Sequence, residues 1–214
     1  MPRTADHDLR RNQMAAATHR LIAHAGLDAA TMAAVAREAG FSVGLVQHYF
    51  ASKDELLLFA YKQMSEHQLA RVARMVAEGE ADAQPIRAIL LRCMPELWPL
   101  DEARRGEYRV ATAFHARALD VPTVAEVARE TAAVVSGQIA RAVENGKECG
   151  EVEPGTDAER AALELSALVT GLADELYGEP ERRRGDRPLI ETAEAILKDR
   201  LGSYFPGECH HYDR

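Results

Sequence analysis

Thr31-Met-Ala-Ala-Val-Ala-Arg-Glu-Ala-Gly-Phe-Ser-Val-Gly-Leu-Val-Gln-His-Tyr-Phe-Ala-Ser-Lys-Asp-Glu-Leu-Leu, residues 31–57, reads as two very short helices and the start of a long one. Thr31 stands just before Met32, Val35, Ala36 and Ala39, whose apolar side chains recur at three- and four-residue steps, so its hydroxyl can cap a helix over 32–39. Gly40 is free to take the positive φ that ends such a helix, and Ser42 can cap the next one, over 43–49. Ser52-Lys53-Asp54-Glu55 is a capping box: the serine hydroxyl can accept from the Glu55 N–H while the glutamate reaches back. It opens the run Leu56, Leu57, Phe59, Ala60 and Met64. With a helix over 8–25 in front, these elements describe a helix-turn-helix.

The chemistry of the third helix is positional. Val46 and Phe50 lie four apart and are expected to pack inward against Val35 and Leu21. Leu45, Gln47, His48 and Tyr49 are left to face outward, offering hydrogen-bonding groups to base edges and phosphates in a groove about 12 Å wide. Gly44 removes a side chain where a backbone has to approach DNA closely.

Outward from this head the reading is all-α, about nine helices in total: further helices are expected at 53–78, 85–97, 101–118, 123–146, 157–178 and 188–202. Asn145-Gly146 through Pro154-Gly155 reads as a turn-rich connection, Gly178 to Pro188 as a charged loop, and the end from Ser203 as a frayed tail. At 214 residues, with 47% hydrophobic and 28% charged residues, disorder is excluded and a core needs no staple. Residues 1–53 carry six basic against four acidic groups, and the remainder 20 against 30. A mildly basic head on an acidic body suits phosphate contact. Cys93, Cys149 and Cys209 are odd in number and lack Cys-x-x-Cys spacing, which points to a reducing compartment. Absent an apolar leader or span, a cytoplasmic protein without membrane contact is expected.

The 31–57 stretch resembles the DNA-binding signature of TetR-family transcriptional regulators, a likeness that covers roughly residues 10–60. Its Gln47-His48-Tyr49-Phe50 form is similar to the BetI-like branch, where many other members have tyrosine at position 47. The resemblance implies DNA contacts from Thr31, Ser42, Val43, Gly44, Leu45, Gln47, His48, Tyr49 and Lys53, the lysine meeting a phosphate at a helix N-terminus. Arg10 and Arg11 form either an arm toward DNA or a polar leader. Arg109–Ala118 and Leu168–Ala173 resemble C-terminal segments of the same branch. That implies a DNA-binding domain over 1–53, with 53–78 as connector and lever. A ligand-binding and dimerisation domain follows over 54–205, then a flexible tail over 206–214. The dimer interface is expected from Leu165, Leu168, Val169, Leu172, Leu176 and Ile196, an ordinary core face being the alternative.

Met94, Trp98, Tyr108, Thr112, Phe114, His115 and Tyr177 could line an effector pocket or simply be core, and Glu164 and Asp174 could attract a cation or be exposed acids. Cys209-His210-His211 beside Glu208 has metal-ligand chemistry, yet its place in a tail argues against a site, and no metal or cofactor is expected. Phosphate-loop, zinc-protease and serine-hydrolase motifs are missing, so no enzyme is expected. The expected function is a sequence-specific DNA-binding regulator, a homodimeric repressor released from a palindromic operator by a small-molecule effector. The alternatives are an effector-independent DNA binder and a helical small-molecule carrier.

Overall fold

The described residues, 3–179 and 181–210 of a computed structural model, form nine α-helices and are all-α in architecture. These are α1 (Arg3–Ala25), α2 (Met32–Ala39), α3 (Val43–Tyr49), α4 (Lys53–Ala81), α5 (Ile86–Cys93), α6 (Glu102–Ala118), α7 (Pro122–Cys149), α8 (Ala158–Gly178) and α9 (Leu189–Tyr204). Among the described residues, no helix is long and apolar enough to cross a membrane.

Where the elements depart from expectation, local contacts explain it. The Asp6–Arg10 pair (3.0 Å, one turn apart) lies in the first turns of α1, which starts before the expected residue 8. Helix α4 runs on through Gly79 to Ala81, and Ile89 packs where a Cβ on Gly79 would lie, its Cγ1 2.6 Å from that point. Pro95 has no N–H to donate, so the expected helix 85–97 ends at Cys93 and tightens into a 3-10 turn, Met94–Leu97. Helix α7 continues through Gly146, against which Val152 and Phe205 pack, and stops where Gly150 takes φ 95°. The charged loop before α9 contains a two-residue antiparallel hairpin, β1 (Arg183–Arg184) with β2 (Arg187–Pro188).

The chain forms two units, each discontinuous in sequence: residues 3–67 with 101–130, and 68–100 with 131–210. These do not follow one break at 53/54. The reason is α6, which packs on α1 and so joins the head. The first unit has two apolar clusters. One gathers Met14, Ala17, Val35, Ala36, Val46, Phe50 and Leu56, with Leu21 and Phe41 against it. The other gathers Ile22, Leu57, Tyr61, Met64, Val110, Phe114, Val124 and Val127. Within it the Tyr61 and Phe114 rings stack in parallel, 3.7 Å apart.

In the second unit, α8 packs on α9 and on the 3-10 turn, and α5 packs on α9. Leu165, Leu176, Leu197, Leu201, Trp98 and Phe205 are fully buried. Helix α5 starts after Pro85, which offers no side-chain cap. Its first amides are taken instead by the buried Glu151 carboxylate, with Ile86 N–H donating at 2.7 Å and Arg87 N–H at 3.0 Å. The segment expected as a frayed, flexible tail is packed and backbone-paired as far as residue 210. Phe205 is buried, Gly207 N–H donates to the Glu151 carbonyl (3.0 Å), and His210 N–H donates to the Cys149 carbonyl (2.8 Å). Burying Phe205 and pairing the backbone beyond it supplies the anchor that the polar composition concealed. His211 lies outside the described residues.

Candidate nucleic-acid interface

The short helices are fixed by their ends. Ala34 N–H donates to Thr31 Oγ1 (3.1 Å), which starts α2. Gly40, in the left-handed region at φ 74°, ends it, with Phe41 N–H reaching back to the Ala36 carbonyl (2.8 Å). One residue later Leu45 N–H donates to Ser42 Oγ (3.2 Å) and α3 begins. Phe50, extended at φ −136°, closes it. The capping box then forms with a shift. Glu55 N–H donates to Ser52 Oγ (3.1 Å) as expected, but the Glu55 carboxylate receives the N–H of Ala51, at 2.7 Å.

Val46 and Phe50 are fully buried with Val35, which roots α3 in the core. Ser42, Val43, Gly44, Gln47 and His48 are exposed. Leu45 and Tyr49 are half-buried against the core, so they face outward less than the spacing suggested. Tyr49 packs against the His7 ring at 4.6 Å and the His48 ring at 5.5 Å. Thr31 and Ser42 are engaged as caps. Nothing lies within 4 Å of the place a Cβ on Gly44 would occupy, so internal packing does not demand glycine there. Gly44→Ala should therefore leave unfolding unchanged or raise stability by up to about 1 kcal/mol, through helix propensity. Operator affinity, measured beside it by gel shift, should fall if the backbone meets DNA at this point.

The basic residues are placed differently from expectation. Lys53 Nζ donates to the Leu27 carbonyl at 2.8 Å and is half-buried. Arg10 pairs with Asp6 inside α1, and the Arg11 guanidinium lies over the Phe50 and Phe59 rings (4.9 and 4.4 Å), with Glu55 at 3.9 Å. Neither arginine is part of an extended arm or leader. Spacing gave no sign of the contacts that fix the head to α6. Arg109 Nη1 donates to the Ala23 carbonyl at the end of α1 (2.6 Å), and Gly106 lies where a Cβ would be 3.1 Å from Ala23 Cβ. Arg117 donates to both Asp54 oxygens (2.8 and 2.9 Å).

The Arg117 hydrogen bond holds the Asp54 carboxyl below its ordinary value, with the Arg117 and Lys53 charges adding to the effect. A depressed carboxylate contributes stability above its unfolded pKa, and that contribution is lost as pH falls through the folded value. Melting temperatures followed from neutral to acid pH should fall less steeply for Asp54→Asn than for the parent. Parallel curves would remove Asp54 from the acid response.

The residues read as pocket lining are divided between the units: Tyr108, Thr112, Phe114 and His115 in the first, Met94, Trp98 and Tyr177 in the second. Phe114 and Trp98 are core, both wholly buried. Phe114 is stacked on Tyr61, and the Trp98 indole N–H donates to the Val169 carbonyl at 3.2 Å. A groove of about 490 Å³ in the second unit is lined by Arg141, Glu144, Lys147, Asp157 and neighbours, and by none of those seven. Glu164 is held by the Tyr204 hydroxyl (2.6 Å) and by Arg160, and so is engaged within the chain. Of the dimer set, Leu165, Val169 and Leu176 are buried within the chain and are corrected to core. Leu168 and Leu172 are half-buried and Ile196 is exposed, as is Leu163.

A helix-turn-helix with an exposed polar face on its third helix, carried on a mainly helical chain with a second unit, defines a DNA-binding transcriptional regulator. Residues 15–59 match the model of bacterial regulatory proteins of the tetR family, and residues 85–205 match that of the BetI-type transcriptional repressor C-terminal domain. The transcriptional regulator PksA of Bacillus subtilis (strain 168) is 32% identical over 87% of this chain and 88% of its own. A transcriptional regulator from Rhodococcus sp. Rha1 superposes with a TM-score of 0.75 at 34% identity, covering 92% of this chain and 96% of that one. A putative regulator from Saccharomonospora viridis, solved in complex with choline, does so at 0.74 and 25%, covering 88% and 93%. The chain belongs to the TetR family, with a C-terminal domain of the BetI type.

Proposed function

We propose that this regulator is a repressor that occupies a (pseudo)palindromic operator as a homodimer and leaves it when a small molecule binds. The observation that carries the reading is the outer face of α3, where Gln47 and His48 stand exposed beside Gly44 on a helix rooted by Val46 and Phe50. Glutamine can address an adenine edge in two places at once, and histidine can address a base or a phosphate. The matched C-terminal model, described as that of a repressor, supports repression. Exposed Leu163 and Ile196, with half-buried Leu168 and Leu172, supply apolar surface on α8 and α9 for a second copy. The effector is a small molecule, and a quaternary ammonium such as choline is the first probe because a relative was solved with it. Helix α6, held to α1 by Arg109 and to Asp54 by Arg117, joins α4 as an element through which effector binding can shift the head.

Footprinting on the DNA upstream of its own gene tests this. The expected result is two protected half-sites about 34 Å apart or a multiple of that. One preferred, unpaired half-site would overturn the dimeric reading, and no protection at all would favour a carrier. In the same assay Lys53→Ala should weaken all sequences alike and flatten the salt dependence by about one unit, if Lys53 leaves the Leu27 carbonyl for a phosphate. An unchanged salt slope with lowered stability would mean that the lysine stays on Leu27.

A further inference from the structure

We propose that Cys149, Glu151 and Cys209 form a binding site for a thiophilic divalent cation of the zinc class. Two of the ligands are neighbours across one glycine. Gly150, at φ 95°, turns the chain so that Cys149 and Glu151 come together, with Cys149 Sγ 3.4 Å from Glu151 Oε1. The third comes from the other end of the second unit. Buried Phe205, whose carbonyl receives Arg87 Nη1 at 3.2 Å, anchors the segment that follows it. Gly207 N–H to the Glu151 carbonyl and His210 N–H to the Cys149 carbonyl then hold it against residues 149–151. Cys209, between those two rungs, is thereby held at the site by backbone pairing.

The dimensions suit a metal. The two sulfurs and a carboxylate oxygen all lie within 4.8 Å of one another. A tetrahedral zinc site with bonds of about 2.3 Å to sulfur and 2.0–2.2 Å to oxygen has ligand-to-ligand edges of about 3.5–3.8 Å. The Cys149–Glu151 edge, at 3.4 Å, is close to that length. The chemistry of the ligand set agrees with the dimensions. Thiolates select soft and borderline ions, and zinc also accepts a carboxylate oxygen.

Glu151 gives the site its orientation. The residue is 1% exposed, and its two oxygens accept the Ile86 and Arg87 N–H groups, which fixes the carboxylate plane as outer-shell partners do around bound metals. Its remaining acceptor capacity is aimed at the Cys149 sulfur. The same carboxylate bears on the choice between a metal and a disulfide, because the Cys149 thiol donates to it. A Cys149–Cys209 disulfide would take away the thiol that donates to Glu151 and leave the buried negative charge with less compensation. A dication offsets two of the three negative charges that the carboxylate and both thiolates bring.

The full-length protein, reduced and stripped of metal, should be titrated with Cd²⁺ and then competed with Zn²⁺. The expected result is one equivalent per chain with a thiolate-to-cadmium charge-transfer band in the ultraviolet, displaced by zinc. Cys149→Ser and Cys209→Ser should each abolish the band or weaken binding at least tenfold. Their metal-free melting curves should stay close to the parent's, showing that the fold survives. Zinc should also raise the melting temperature of the parent, and a chelator should reverse this. A missing band, or one unchanged in Cys209→Ser, overturns the proposal. So does a Cys149–Cys209 disulfide that forms in air as readily with zinc as without it, because a bound ion holds both sulfurs from oxidation. Operator binding enters none of these readouts, so the site stands or falls separately from the repressor reading.

Discussion

Trp98→Ala is expected to remove about 3–5 kcal/mol of stability, the usual cost of emptying a large buried aromatic site. Trp98 is wholly buried between Pro95 and Pro99, and its N–H is given to the Val169 carbonyl of α8. A loss of that size is a large share of the roughly 5–15 kcal/mol that holds an ordinary domain together. Operator binding and effector response should therefore fail together, following the unfolded fraction. Because this is the one tryptophan, the variant has to be followed by circular dichroism. Trp98→Phe keeps most of the volume and gives up only the N–H, so it should lose much less, of the order of 1–2 kcal/mol. A Trp98→Ala protein that melts like the parent yet no longer answers its effector would return Trp98 to a ligand site.

The paired substitution Gln47→Ala with His48→Ala should have the largest effect on specific DNA binding. Each reader of a base edge is worth about 1–3 kcal/mol of discrimination, or roughly 5- to 150-fold at 1.4 kcal/mol per decade. Both side chains are exposed, so the folded state should change by no more than about 0.5 kcal/mol. Affinity for the operator should then fall toward that for unrelated DNA, while the latter stays the same. Gel shifts on both sequences, at one stated salt concentration, make the comparison. Equal losses on both would mean that these residues meet phosphates and that specificity resides elsewhere.

What the sequence shows of this head is what local chemistry controls. Thr31, Gly40, Ser42 and Ser52 act on amides and carbonyls within a few residues of themselves: the three hydroxyls cap helix starts, and Gly40 ends α2 through its positive φ. The inward pair Val46 and Phe50 follows from a four-residue step, and it too is found in the core. Contacts between distant segments leave no such mark. Arg109 and Arg117 look like any surface arginines until α6 lies against α1, and the end of the chain looks polar until Phe205 is seen buried. Lys53 shows the same limit in the opposite sense, because its family position suggests a phosphate and the fold offers a nearby carbonyl. The apolar face of α8 was ambiguous for a different reason. Periodicity at Leu165, Val169 and Leu176 is the same whether the surface beneath belongs to the same chain or to a partner, and here it is the same chain.

The discontinuity of the first unit bears on how the protein comes into being. Leu57, Tyr61 and Ile22 share their apolar cluster with Val110, Phe114, Val124 and Val127, which come from residues 101–130. A ribosome adding about 5–20 residues per second leaves that surface bare for several seconds after residue 67 has been made. During that interval exposed apolar surface of this kind favours aggregation. For the same reason the segment up to residue 67 is not a portable module. Grafted onto a reporter without residues 101–130, it would carry its recognition helix on a core missing one wall.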